Sequence, residues 1–251
     1  MNREVLKVLV GSHNYGLNTP KSDKDYKIFV LPTFDDLYYG KKTSSSTIKD
    51  SNNEDYEVKD IRLLLDLLRK ANPSYLEILF SVEVKVDFRF EKIWKFLMQH
   101  REEIVQYNKA NFFNATWGTI CEKAKSLRQK KYTASSKELF DKLGYDPKQM
   151  CHFMRLYELL DCYSIGMCFG DCISLNEVDS HHLLLLKNGE SNWSEFYEGV
   201  ITTALDSMEL KKSYFTNTEE DRNKHKEIFA KLNDMVKQFI EDDLKGHLEP
   251  F

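Results

Sequence analysis

Two short clusters in this chain carry side chains and backbone features suited to handling phosphate. Gly11-Ser12 closes a valine-rich run, and Asp23-Lys24-Asp25 follows ten residues later, at the entrance to a second apolar run. Along a strand, successive side chains face opposite ways, so two aspartates with one residue between them point the same way. A pair of bare carboxylates about 4 Å apart would repel by roughly 4 kcal/mol at an intermediate dielectric. Such a pair calls for protons, hydrogen bonds or cations, and hard oxygen donors of this kind suit Mg²⁺. Two magnesium ions about 3.5–4 Å apart can activate an attacking hydroxyl and stabilise a departing pyrophosphate. Mn²⁺ would satisfy the same donors.

The glycine adds a second element. At a strand end it lets backbone amides come close to an anion, and the serine supplies a hydroxyl donor. A triphosphate held between these donors and the metals would need little beyond positioning and charge stabilisation. A third metal-binding carboxylate is expected on a neighbouring strand. Asp55 and Glu57 share a parity there. Glu57, flanked by Tyr56 and Val58, is chosen, with Asp55 as the alternate.

A third cluster lies far downstream. Asp146-Pro147 supplies a helix cap and a first-turn proline. Lys148, His152 and Arg155 then fall at i, i+4 and i+7, on one face of that helix. A cationic stripe of this kind can meet phosphate oxygens, arginine with a planar fork. Read without a function, the same stripe is a solvated helix face. In the same spirit Asp-x-Asp is a polar turn, Ser12 a turn hydroxyl, and His13 a neighbour of serine without hydrolase geometry.

The elements that must hold these residues read as follows. Val5–Val10 and Tyr26–Leu31 are strands, joined by the turn-rich stretch Asn14–Lys24. The polar stretch Lys41–Glu54 is expected as a mobile loop. Asp55–Val58 and Val82–Asp87 read as short strands. Between them, Ile61–Leu68 has helical spacing that ends at Asn72-Pro73. From about Phe90 the pattern is helical, over roughly Glu91–Tyr107, Lys109–Lys130, Pro147–Ile165, Trp193–Leu210 and Glu219–Leu244. The fold expected is α+β: a mixed sheet with flanking helices in residues 1–105, then a helical domain in 106–251 that closes over the nucleotide and acceptor site.

Bulk properties narrow the classes. The 251 residues are 41% hydrophobic and 30% charged, ordinary values for a globular chain. A net charge of −4 argues against a broad basic coat for nucleic acid, though not against a local groove. No apolar run is long enough for a bilayer and no basic leader precedes one, so a cytoplasmic location without membrane partners is expected. The five cysteines read as reduced thiols, and Cys162, Cys168 and Cys172 fit no zinc spacing.

The string GSHNYGLNTPKSDKDYKIFVLP resembles the DNA polymerase β superfamily of nucleotidyltransferases. More narrowly it is similar to a branch found in RNA-repair contexts, with Gly-Ser-x-x-Tyr-Gly followed by Thr-x-x-Ser-Asp-x-Asp. Gly11, Ser12, Tyr15, Gly16, Thr19, Ser22, Asp23 and Asp25 match that pattern. Lys59–Ser81 and Lys148–Leu159 add weaker islands, the first with Asn-Pro followed by Leu-Glu. The resemblance implies metal-dependent nucleotidyl transfer by Asp23, Asp25 and Glu57. Gly11, Ser12, Tyr15, Ser22, Lys148, His152 and Arg155 would then face the nucleotide. It further implies a nucleoside triphosphate donor and an RNA acceptor, tRNA-like or other. A protein acceptor is the alternative, because antitoxin-type enzymes that AMPylate proteins share the layout. A nucleotide sensor without catalysis is a third reading.

Overall fold

Val5, Leu6, Val8, Leu9 and Val10 are all buried, so the first strand is apolar on both faces, as a central strand must be. The computed structural model describes residues 3–20, 22–45, 48–49, 54–191, 193–216 and 219–248. Its sheet contains β1 (Glu4–Val10), β2 (Lys24–Val30), β3 (Ile48–Lys49), β4 (Glu54–Asp60) and β5 (Val84–Val86), in the order β3-β4-β2-β1-β5. β1 runs antiparallel to both of its neighbours, whereas β2 and β4 are parallel. The sheet is therefore mixed and the fold α+β. Within the expected loop Lys41–Glu54, Ser44 bridges to Lys59 and Ile48–Lys49 pairs with β4; residues 46–47 and 50–53 lie outside the described residues.

The parallel β2–β4 pair requires a crossover, which includes α1 (Phe34–Tyr38). After β4, a 3₁₀ turn at Ile61–Leu63 leads into α2 (Leu64–Arg69), which buries Leu64, Leu65 and Leu68. Asn72 caps α3 (Pro73–Leu76) by accepting from the Ser74 amide at 3.0 Å, with Pro73 in the first turn. The stretch expected as one helix over Glu91–Tyr107 is two, α4 (Glu91–Gln99) and α5 (Arg101–Gln106). His100 breaks it, with φ −111° and ψ 15°. Apolar periodicity runs through such a break, which is why spacing alone joins the two.

The chain forms two compact units. The first comprises residues 1–14, 18–108 and 217–251; the second comprises Tyr15–Leu17 and Lys109–Thr216. In the first, the C-terminal helix, numbered α12 below (Glu219–Leu248), packs on α2, α4 and α5. Phe239 meets Phe90 edge to face at 5.3 Å between centroids, and Phe229 lies against Tyr107 at 4.4 Å. Asp243 pairs with both Arg3 and Arg89, tying that helix to the start of β1 and the end of β5.

The second unit contains α6 (Lys109–Arg128), α7 (Lys137–Leu143), α8 (Pro147–Ser164), α9 (Phe169–Ile173), α10 (Glu177–Lys187) and α11 (Tyr197–Lys211). The central helix is α8, which packs on α6, α9, α10 and α11. Its core is aromatic: Phe112 contacts Tyr163 and Phe169 with centroids 5.5 Å away in each case.

The start of α8 is fixed by Asp146, which is fully buried. Its carboxylate accepts from the amides of Lys148 (2.9 Å), Gln149 (3.2 Å) and Thr133 (2.9 Å). Asp146→Ala leaves three donors short of an acceptor, so a loss of about 2 kcal/mol or more is expected. Urea unfolding of the whole chain would measure it, and a change under about 0.5 kcal/mol would contradict the capping role.

Candidate functional site

In the sheet of the first unit, Asp25 lies opposite Val10 of β1 and opposite Asp55 of β4. In-register neighbours on adjacent strands share a face and sit about 4.8 Å apart. Asp25 and Asp55 are therefore side by side on one face. Two residues along, Lys27 is opposite Glu57 on the same face, and Lys59 follows. The other face carries Tyr26 stacked on Tyr56 at 6.0 Å, with the Lys7 ammonium 3.9 Å from the Tyr26 ring. Asp23 lies just before β2 begins.

Gly11 sits against Asp25 of this pair. Its φ is +71°, in the left-handed region, and a Cβ there would come within 2.6 Å of Oδ2 of Asp25. Only glycine meets both conditions without displacement. The Gly11 amide donates to Oε2 of buried Glu77 at 3.4 Å. Gly11-Ser12-His13 forms a 3₁₀ turn, closed by the Asn14 amide donating to the Gly11 carbonyl at 3.0 Å.

The rest of the loop is held by its own polar side chains. The Val82 amide donates to Oδ1 of Asn14 at 2.9 Å, and Nε2 of His13 donates to the Ser22 carbonyl at 3.3 Å. Thr19 and Ser22 clasp each other: the Thr19 amide donates to the Ser22 hydroxyl, and the Ser22 amide to the Thr19 carbonyl, both at 2.9 Å. Ser22 thus builds the turn that delivers Asp23 and Asp25.

Glu57 stands in a different setting. Its carboxylate accepts from Lys27 at 2.5 Å and from the Tyr75 hydroxyl at 2.7 Å, and pairs with Lys59 at 3.1 Å. Burial alone would raise its pKa, but the hydrogen bonds from Lys27, Tyr75 and Lys59 outweigh burial and bring it down to about 2. Both oxygens are committed to protein donors. Lys27 is itself buried, 7% exposed, and lies 4.2 Å from the Tyr75 ring centroid.

In the second unit, α8 carries Lys148, which is exposed, and His152 and Arg155, which are half-buried. The Arg155 guanidinium lies 3.9 Å from the centroid of the Tyr15 ring, and Lys187 at the end of α10 donates to the Leu17 carbonyl. Burial lowers the His152 pKa to about 3, with the positive charges of Arg155, Lys123 and Lys148 adding to it. Its imidazole is neutral through the physiological range. Lys187 is also pushed down by burial, and Lys148 contributes in the same direction. Tyr15, His152 and four cations thus form a positive cluster.

A family model described as the RNA repair pathway DNA polymerase beta family (RlaP) matches residues 3–132, just over half of the chain. The chain belongs to this family. An uncharacterised 38.9 kDa protein of Enterobacteria phage T4, from the nrdC–mobD intergenic region, is 30% identical over 119 residues. The match covers 44% of the present chain and 35% of the phage protein, so the chain spans about a third of that relative's length.

The description of that family names a DNA polymerase β relationship and an RNA repair pathway. The matched stretch includes Gly11, Asp25, Asp55, Glu57 and Glu77 and ends just beyond α6; the α8 stripe lies past it. Among the described residues, no three Asp, Glu, His or Cys side chains are grouped so that they could hold a metal ion. Mg²⁺ does not require such a group, because it binds one or two carboxylates and fills its shell with water and substrate phosphates. The Asp25–Asp55 pair, with Asp23 beside it in sequence, supplies donors of that kind. No helix among the described residues is long and apolar enough to cross a membrane. All five cysteines are free thiols: Cys151 and Cys172 are buried, Cys121 and Cys162 half-buried, and Cys168 exposed.

Sequence spacing does not single out Lys27, Tyr75, Glu77, Lys123 or Lys187. Glu77 had a signal, the Leu-Glu after Asn-Pro, but no stated role. Lys123 and Lys187 come from helices distant in the chain, and nothing in the pattern of either one marks it.

Proposed function

We propose that the protein moves a nucleoside monophosphate from a nucleoside triphosphate onto a hydroxyl at an RNA end, using Mg²⁺. The observation that carries this is Asp25, in register beside Asp55 and lying against the bare Cα of Gly11. Two like charges placed side by side, at a strand end kept clear of a side chain, suit a cation and the polyphosphate it carries. We take Asp55 as the carboxylate that acts with Asp25, because it lies beside Asp25 in register, whereas Glu57 lies two residues further along β4.

Bound Mg²⁺ would neutralise the phosphate oxygens and lower the pKa of the attacking hydroxyl. Asp25 and Asp55 fix where that charge sits, and the Ser12 hydroxyl offers a donor to a phosphate oxygen. The acceptor oxygen bonds to the α-phosphorus as the α–β phosphoanhydride bond breaks. The hydroxyl proton goes to solvent and pyrophosphate leaves. In the second unit, Lys148, Arg155 and Lys187 are cations suited to phosphate oxygens of nucleotide or RNA.

The test uses the purified chain, Mg²⁺ or Mn²⁺, each α-labelled triphosphate in turn, and short RNAs with free ends. Label on RNA with stoichiometric pyrophosphate is the expected result. Label on protein instead would replace the RNA acceptor by a protein hydroxyl. No transfer to either, with triphosphate binding intact, would overturn the reading in favour of a nucleotide sensor.

A further inference from the structure

The helical unit holds a cavity of about 300 Å³ between α8, α10 and the segment before α11, for which the transfer reaction has no use. Its apolar lining includes Met154, Leu183 and Trp193. Glu158, Asp179 and His182 provide its polar lining. Oε2 of Glu158 is buried and has no hydrogen-bond partner among the described residues. A buried carboxylate oxygen without a donor is costly to leave that way, so such a group is expected to meet one.

The charges around Glu158 specify the sign of that donor. Asp179 on α10 and Asp161 on α8 carry like charge near it, Asp161 being paired with Lys211 of α11, and Arg155 on α8 opposes them only in part. Burial first, then Asp179, pushes the Glu158 pKa up to about 7. A cation in the cavity would relieve both. The acids do not converge on a single point as ligands of a metal ion would. The same lining carries hydrocarbon and indole beside the acids, which favours a ligand with an apolar body and a delocalised or ammonium head.

We infer that this cavity binds a small organic cation, a guanidinium or primary ammonium on a short alkyl chain. Glu158 accepts from the cationic head, Asp179 adds charge, and Trp193 packs on the body. The inference does not depend on the transferase reading, because it concerns binding alone.

Isothermal titration calorimetry of the full chain with agmatine tests it. Saturable one-to-one binding is expected. Because Glu158 titrates near neutrality and the cation favours its ionised form, binding at about pH 7 should release roughly half a proton. Heats measured in buffers of different ionisation enthalpy give that number. Affinity should rise as pH is raised through about 7. Glu158→Gln should weaken binding by roughly tenfold to a hundredfold and abolish the proton release. It removes a poorly solvated charge, so the variant is expected to fold. Trp193→Leu should weaken binding while leaving the proton release in place. No saturable binding at millimolar agmatine would overturn the inference. So would unchanged affinity in Glu158→Gln, or equal displacement of agmatine by neutral 1-pentanol.

Discussion

Asp25→Asn is expected to cut nucleotidyl transfer by roughly 10³-fold, far more than any change in stability would account for. The substitution removes a charge and almost no volume. Asp25 lies next to Asp55 in the register of β2 and β4, so taking away one of the two negative charges also takes away repulsion. On the proposed reading, what is lost is the anchorage of a cation, worth several kcal/mol of charge stabilisation in the transition state, and each 1.36 kcal/mol is tenfold in rate. Single-turnover transfer from a labelled triphosphate, beside urea unfolding, separates the two effects. Near-normal transfer by Asp25→Asn would remove the basis of the proposed chemistry.

The same pair of measurements distinguishes Asp55 from Glu57. Asp55→Asn should resemble Asp25→Asn, with activity lost well beyond any loss of stability. Glu57→Gln should show the opposite balance. It strips Lys27 of its partner in a nearly closed environment, and a destabilisation of about 2 kcal/mol is expected, less than for a fully buried pair. Since the Glu57 pKa is depressed to about 2, the pair's contribution is fully present above the ordinary carboxylate range. It fades as pH falls from about 4.5 toward 2. The Glu57→Gln deficit should therefore shrink in acid.

Why a single sequence leaves these two acids open is a matter of register. Residues 55 and 57 have the same parity, and alternation tells only which face a side chain takes. Which of them stands beside Asp25 depends on how β4 slides along β2, and that is fixed through the crossover and its helices. The strands themselves were legible from their β-branched runs, and α8 from its Asp-Pro start. By contrast, α7, α9 and α10 are short or densely apolar and do not display one clean period. In α10 four successive leucines, Leu183–Leu186, mask the spacing, although it is Leu183 and Leu186 that are buried. The loop residues show another limit. Ser22 carries a hydroxyl that suits phosphate as a residue type, yet the structure uses it to close a turn with Thr19. Type and spacing identify a chemical capacity; the partner that takes it up comes from the fold.

Gly11 is where capacity and fold meet, and Gly11→Ala is expected to lower transfer by about 10²-fold. An added Cβ meets Oδ2 of Asp25 at 2.6 Å while the backbone is held at φ +71°. The left-handed conformation alone costs an alanine about 1–2 kcal/mol. Relief requires either the Asp25 carboxylate or the Gly11 backbone to move, and displacing a positioning group by about 1 Å can cost about 10² in rate. Backbone movement would also lengthen the Gly11 amide's hydrogen bond to Glu77. Strain that is merely structural would lower stability and spare transfer per folded molecule. Strain that acts through Asp25 makes a sharper statement: in an Asp25→Asn background, Gly11→Ala should cost little further activity, because both changes disable the same carboxylate. Such non-additivity is measured by a double-mutant cycle on single-turnover rates. Fully additive losses would mean that Gly11 serves the site by some route other than clearing space beside Asp25.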